Sequence, residues 1–240
     1  LSLHDALPIF YTYDLSFSDG WNYREHRMSE SFQHLMRLYM NDSEIKFIPP
    51  AFCPSDDSDI KKAIELLKPA GIGKKKIAFC VSTTDEFKDW PADRFSIIAD
   101  WLIEKYNSVI IMTGVPKHSK KVSEVITRMV HKDSCIDAVG KTSFSELIAL
   151  FRHVDLVLTL DTGTSHIAGA AGCPVVTIFT HNTPEIYRAA GKYTGAVSAN
   201  LPCSGKHICI GPGKCKKNDC VEAVSVSMVQ KEISRIMEMV

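Results

Sequence analysis

Two short polar runs interrupt apolar segments with groups suited to binding anions. The first, Ser82-Thr83-Thr84-Asp85-Glu86-Phe87-Lys88, follows a hydrophobic run and precedes Asp89-Trp90-Pro91. Its hydroxyls donate hydrogen bonds and the Lys88 ammonium neutralises charge, which is what a diphosphate requires. The second, Asp161-Thr162-Gly163-Thr164-Ser165-His166, lies between the apolar run Leu156 to Leu160 and a stretch of small residues ending at Gly172. Hydroxyls and a glycine at a helix start leave N–H groups free in line with the helix dipole, a natural seat for phosphate. Asp161 does not suit a pure phosphate cradle, because its carboxylate repels such a ligand; it is expected to accept hydrogen bonds from turn amides or ligand hydroxyls. His166 begins the helix and either reaches the same phosphate or caps and packs locally. Each run also has a plainer reading: a solvated loop whose hydroxyls cap turns, and a ligand-free βαβ turn with Asp161 as helix cap.

The elements that hold these runs follow from periodicity. Leu156 to Leu160 and Val175 to Phe179 read as strands buried on both faces, joined by a helix from His166 to Gly172 that is small enough to lie close to a sheet. Upstream, Glu25 to Met40 is helix-like, with Met28, Phe32, Leu35, Met36 and Tyr39 at helical spacing. Ile45 to Ser58 holds three prolines and an acidic cluster and reads as a linker, which places the domain boundary between 1–55 and 56–240. Beyond it, helices over Ile60 to Leu67, from Pro91 to Tyr106 and over Ser119 to Val130 alternate with strands over Lys76 to Val81, Val109 to Met112 and Ile136 to Val139. Ser143 and Glu146 form a capping box for the next helix, while Ser227 and Gln230 do so for a closing helix striped by Val229, Ile233, Ile236 and Val240. This alternation predicts an α/β fold with a doubly wound, mostly parallel sheet. Ligands of such sheets sit at the carboxyl ends of the strands, so the two polar runs should share one crevice.

With 28 basic against 28 acidic residues, the composition gives no electrostatic reason to bind nucleic acid. No apolar run is long enough to span a bilayer and no signal peptide is recognised, which points to a cytoplasmic protein. Cys53, Cys80, Cys135 and Cys173 are scattered singly, as buried free thiols are. Cys203, Cys209, Cys215 and Cys220, spaced x5, x5 and x4, lack the paired C-x2-C knuckles of common zinc sites. A metal-free loop is therefore favoured over a structural zinc. The opening LSLHDALPI lacks an initiating methionine and reads like translated adapter sequence, so residues 1–9 are set aside and the natural frame is expected to begin further upstream.

Taken together, STTDEFKDWPADRF, the GKTSFSEL run from Gly140 and DTGTSHIAGAAGCPVVTIF resemble glycosyltransferase family 9, the heptosyltransferases of lipopolysaccharide inner-core synthesis. The likeness spans roughly residues 60–240 and more loosely 24–60. It implies a GT-B architecture of two Rossmann-like domains. Residues 56–240 would then be the nucleotide-sugar donor domain and 1–55 a remnant of the acceptor-binding domain with its linker. It also implies an inverting transfer of heptose or a related sugar, from ADP-heptose or a similar nucleotide-sugar, to a lipid A inner-core acceptor at the inner-membrane surface, with no essential metal. Thr83 and Thr84 match the family's phosphate-binding threonines and Lys88 its donor-binding lysine. Asp161, Thr162 and Gly163 match the turn that meets phosphates and sugar, and Thr142 falls where the base is enclosed. After Gly114, where the family often places an acid that contacts the ribose, this chain has Val115-Pro116-Lys117-His118. The family's catalytic aspartate belongs near the start of the other domain, and Asp5, Asp14 and Asp19 do not sit in a matching motif. The family also carries a cysteine-rich loop near Cys203 to Cys220 without requiring a metal. Two other classes fit the same fold: a nucleotide-sugar epimerase, and a non-catalytic nucleotide-sugar-binding module.

Overall fold

The computed structural model describes residues 56–84, 86–201 and 219–240, with a handful of positions between 30 and 44. The chain forms two compact units, Leu1–Ile48 with Glu185–Tyr187, and Pro49–Pro184 with Arg188–Val240. In the first, the described positions from Glu30 to Met40 are helical. The Ile45 to Ser55 part of the expected linker lies outside the described residues.

The second unit is built on six parallel strands: β1 (Lys75–Cys80), β2 (Ser108–Met112), β3 (Cys135–Asp137), β4 (Leu156–Leu160), β5 (Val175–Phe179) and β6 (Thr194–Ser198). They lie in the order β3-β2-β1-β4-β5-β6. Chain order therefore reverses between β1 and β4, where Ile77 pairs with Leu156 and Cys80 with Thr159. This is the switch point at which doubly wound sheets open a crevice. The sequence expectation of such a sheet holds. It did not include β6, whose TGAVS is only half-buried.

Side chains alternate between the two faces, as the strand period of two requires. Ile77, Phe79, Leu156, Leu158 and Leu160 point to one face. They pack under α2 (Ala92–Tyr106), α3 (Ser119–Arg128) and α8 (Val226–Met237), which bring Phe95, Ile98, Leu102, Val125 and Ile233. Ala78, Cys80 and Val157 point to the other face, against α1 (Asp57–Leu67), α4 (Phe144–Phe151) and α5 (Gly163–Ala170). Large residues fill the first layer, whereas small ones (Ala63, Ala78, Ala149, Ala168) let the second lie close. Two further short helices are α6 (Pro184–Tyr187) and α7 (Asp219–Ala223).

Two connections tie α7 to the start of α2. Trp90, wholly buried, donates its indole N–H to the Val224 carbonyl at 2.9 Å. Arg94 donates to the Val221, Glu222 and Val224 carbonyls at 3.0–3.1 Å and ion-pairs with the Glu222 carboxylate, capping the end of α7. Three expectations change here. Ser225, not Ser227, caps α8, accepting from the Met228 N–H at 3.3 Å, because Ser227 already lies inside the helix. Pro91 stands at the N-cap of α2 rather than its first helical position. Val229, Ile233 and Ile236 are wholly buried against the sheet, so of the predicted stripe only Val240 is exposed.

Candidate functional site

At the switch point the strand ends enclose a cavity of about 560 Å³. Its wall is shared by the ends of β1, β2 and β4, the residues before and within α4, and the first turn of α5. Thr83, Thr84, Lys88, Thr142, Asp161, Thr162 and Gly163 all line it. His166, one turn into α5, is exposed and is not part of the lining.

The loop after β1 is shaped by Asp89. Its Oδ1 accepts the Thr83 N–H at 2.8 Å and its Oδ2 the Ser82 hydroxyl at 2.9 Å. Burial pushes its carboxyl above the ordinary range, against the pull of those hydrogen bonds and of Lys121. The Lys88 carbonyl is fixed from the end of β5, where the Thr180 hydroxyl donates to it at 2.8 Å. Phe87 meets His181 edge to face, with ring centroids 5.7 Å apart.

The turn after β4 departs from the sequence reading. Asp161 still belongs to the sheet ladder, since its N–H donates to the Ile178 carbonyl at 3.1 Å. The first residue outside is Thr162, and it is Thr162 that caps α5, accepting from the Thr164 N–H at 3.3 Å. The helix consequently begins at Gly163 rather than His166. Asp161 neither caps the helix nor takes the turn amides. Its Oδ2 accepts from the Asn182 amide at 2.5 Å, from the loop after β5. Burial pushes the Asp161 carboxyl up, opposed by that hydrogen bond and then by the charges of Lys88, His166 and His181.

Opposite lies a less polar wall. The Gly140 N–H donates to the Gly114 carbonyl at 2.8 Å, binding the loops after β2 and β3 together. Gly140 sits at φ +69°, and a Cβ there would stand 3.0 Å from Pro116 Cγ, so glycine permits both the turn and the approach. The capping box of Ser143 and Glu146 forms as expected and places Phe144, more than half exposed, on the cavity's lining with Val115 and Leu147. Lys117 and His118 also line this side. Burial, then the neighbouring Lys117, lowers the His118 pKa, while Asp89 and the Thr83 backbone oppose the shift. The floor is closed by Cys80, whose sulfur lies 2.8 Å from the Thr113 hydroxyl and whose thiol burial pushes up to about 11.

Sequence reasoning passed over Asn182, although Thr180-His181-Asn182-Thr183 is a third polar run at a strand's carboxyl end and satisfies the same rule. Periodicity turns Leu147 toward the core and is silent on Phe144, because it does not show which turn of a helix opens onto a cleft. Of the cysteine cluster, Cys203, Cys209 and Cys215 lie outside the described residues, and Cys220 is buried in α7. Among the described residues, no group of three or more His, Cys, Asp or Glu is placed to hold a metal. No described helix is long and apolar enough to cross a membrane.

A parallel 3-2-1-4-5-6 sheet with hydroxyls, a lysine and a helix N-terminus around its switch-point cavity defines a Rossmann-like α/β domain of the kind that forms half of a GT-B glycosyltransferase. Residues 49–209 match the profile of glycosyltransferase family 9 (heptosyltransferase), and the chain belongs to that family. The lipopolysaccharide core heptosyltransferase OpsX of Haemophilus influenzae is 26% identical over 170 residues, which are 68% of this chain and 48% of OpsX. The chain spans about half the length of the curated relatives it matches. The family 9 glycosyl transferase of Veillonella parvula shares the fold at a TM-score of 0.75, with 20% identity, over 90% of this chain and 62% of that one. So does the dodecameric, iron-containing heptosyltransferase TibC of Escherichia coli, solved with ADP-D-β-D-heptose. Its TM-score is 0.52 at 17% identity, over 70% of this chain and 47% of TibC.

Proposed function

We propose that residues 56–240 are the donor half of an inverting heptosyltransferase that moves heptose from ADP-heptose, or a closely related nucleotide-sugar, to a lipopolysaccharide inner-core acceptor. Residues 1–55 belong in this reading to the acceptor-binding half and its linker. The observation that carries the proposal is the convergence of the β1 and β4 loops on one cavity at the switch point. Membership of the family and the heptosyltransferase relatives support heptose as the sugar and lipopolysaccharide as the acceptor class.

In this reading Thr84, Lys88 and the Gly163 N–H at the start of α5 receive the diphosphate, and Thr83 shapes the same loop through its bonds to Asp89. Lys88 lines the cavity with no ion-pair partner among the described residues. As the bond to the anomeric carbon breaks, negative charge builds on the diphosphate, and preformed donors and a fixed ammonium stabilise it most at that moment. These groups carry out the neutralisation that a metal performs in other transferases, so no metal is essential. Gly163, without a side chain, leaves room for phosphate against the backbone. Asp161, held by Asn182, accepts from hydroxyls of the sugar, and His166 stands within electrostatic reach of it. The base sits by Thr142, between Val115 and Phe144. The proton of the acceptor hydroxyl goes to a carboxylate outside the donor half, since Asp161 faces the donor. The protein works in the cytoplasm, peripheral to the inner membrane where such acceptors are presented, and does not bind nucleic acid.

The test compares this chain with a longer one carrying the upstream domain, using ADP-heptose and a deacylated inner-core acceptor. This chain should bind ADP, while transfer should be slower than in the longer chain by at least the ~10²–10⁴-fold that a general base supplies. Equal turnover would place the base within these 240 residues. Sugar released or inverted without an acceptor would mean an epimerase or hydrolase, and binding without turnover in either chain a non-catalytic module.

A further inference from the structure

Ser82 lines the cavity, but its hydroxyl has a single hydrogen, and that hydrogen is already committed. It goes to Asp89 Oδ2 at 2.9 Å; the alternative acceptor, the Thr83 carbonyl, is farther away at 3.5 Å. Both acceptors belong to the protein. Asp89 itself is not part of the lining, and its second oxygen takes the Thr83 N–H at 2.8 Å. What Ser82 has left for a ligand is lone pairs. A phosphate oxygen brought against it would set acceptor against acceptor, whereas a ligand hydroxyl would find a partner.

We propose that Ser82 binds a hydroxyl group of the nucleotide-sugar, on its ribose or its sugar, and that Asp89 is the positioning residue that fixes this polarity from behind the loop. The inference rests on the donor-site reading above and sharpens it. The loop after β1 is thereby divided, with Thr84 and Lys88 serving the phosphates and Ser82 the polyol, while Thr83, whose N–H and side chain both bond to Asp89, holds the loop in place. The division also bears on specificity, because a ligand lacking the hydroxyl leaves the Ser82 lone pairs unsatisfied once water is excluded.

The experiment measures affinities of the 240-residue chain for three probes: pyrophosphate, which has no sugar hydroxyls, ADP, which has those of ribose, and ADP-heptose, which has both. Two variants are compared with wild type. Ser82→Ala removes the acceptor. Asp89→Asn keeps an oxygen for the Thr83 N–H but turns an amide N–H toward Ser82, so the serine must accept from that amide and its own hydrogen is released toward the cavity. Ser82→Ala should weaken ADP-heptose about three- to tenfold, the usual range for a neutral hydrogen bond, and leave pyrophosphate unchanged. Asp89→Asn should shift the ratio the same way, weakening ADP-heptose while pyrophosphate binds as well as before or better. ADP falling with ADP-heptose locates the hydroxyl on the ribose; ADP unchanged locates it on the sugar. A merely structural role for Asp89 would shift all three probes together and leave their ratios unchanged. If Ser82→Ala weakened pyrophosphate as much as ADP-heptose, or affected neither, the proposal would be overturned while the donor site stood. If wild-type chain bound none of the probes, the donor-site reading would fall and this inference with it. Should Asp89→Asn not fold, the Ser82→Ala ratios decide alone.

Discussion

Replacing Gly169 with alanine tests whether α5 is held where the site needs it. The helix is eight residues long and its first turn forms part of the cavity, so its depth against the rest of the unit sets where the Gly163 N–H stands. That depth is limited by Gly169. A Cβ built there would lie 2.3 Å from the Ala190 carbonyl oxygen and 3.4 Å from the Ala189 Cβ. From the other side, a Cβ on Gly191 would lie 3.1 Å from the Gly169 Cα. Two effects oppose each other in the variant. Alanine is favoured over glycine within a helix by about 1 kcal/mol. Against this, a contact far inside van der Waals range with main chain, which cannot swing aside as a long side chain can, falls toward the upper end of the ~1–3 kcal/mol cost of overpacking. The clash wins by about 1–2 kcal/mol. For a domain of this size that lowers the melting temperature by roughly 2–8 °C. Gly163→Ala is the matched control: it has no unusual φ, and nothing lies within 4 Å of its added Cβ, which projects into open space beside the cavity. It should leave melting unchanged or raise it slightly, and weaken ADP. Thermal unfolding and calorimetric titration of the two variants read both effects. A Gly169→Ala protein that melts at or above wild type would refute the argument, since the helix would then have room to shift.

Lys88→Ala should weaken ADP by about 1–3 kcal/mol, the worth of a charge-assisted hydrogen bond, with little change in melting because Lys88 has no ion pair within the described fold; unchanged affinity by calorimetry would mean that the phosphates sit elsewhere. Two carboxylates should respond to pH in opposite directions, read as the stability difference from wild type in denaturant titrations at several pH values. Glu232 has its pKa lowered, chiefly by its hydrogen bond from Arg235, so its contribution is present above the unfolded value and lost as pH falls through the folded one; Glu232→Gln should destabilise at pH 7 and converge on wild type in acid. Asp161 has its pKa raised by burial, so its ionised form destabilises the empty fold at neutral pH; Asp161→Asn should stabilise there, converge on wild type in acid, and still bind ADP-heptose more weakly. Parallel pH curves for the two variants would contradict the assignment.

The doubly wound sheet was legible because its signals are local. Apolar runs such as Val175 to Phe179 are too short for helices and are punctuated by turn residues. The crevice followed from a rule about strand ends that needs only chain direction. What escaped depends on neighbours distant in sequence. The strand β6 was missed because TGAVS reads as weakly apolar, and Gly195 looks like a breaker. In the fold Glu232 lies against it: a Cβ on Gly195 would come within 2.7 Å of Glu232 Oε1, which also accepts the Ala196 N–H at 3.1 Å. The partner of Asp161 was sought in its own turn, whereas the register of β4 with β5 brings Leu160 beside Ile178 and carries the following loops, with Asn182, alongside. Ser225 and Ser227 are equally plausible caps by composition. The backbone decides between them, and their hydroxyls bond to each other at 2.9 Å.

The carboxylates sort by the sign of their shift, and the sorting follows location. Asp56 accepts from Ser58 and Asp59 at the start of α1, and Glu232 accepts from Arg235 and Ala196; both are pulled below their ordinary values, so ionisation holds the fold together. Asp89 and Asp161 stand behind and on the wall of the cavity, and burial pushes both up even though each has hydrogen-bond donors. Their ionised forms therefore oppose folding of the empty chain. A residue with only a structural task at such a position is better served by a neutral amide, which keeps an acceptor oxygen without the desolvation penalty. Carboxylates at these two places make physical sense if the acceptor-only character matters to a ligand. Asp161 presents lone pairs directly, and Asp89 commits the Ser82 hydrogen so that the serine presents lone pairs too. A wall that accepts, set next to a lysine and a helix N-terminus that donate, matches a molecule whose hydroxyls adjoin its phosphates, as they do in a nucleotide-sugar.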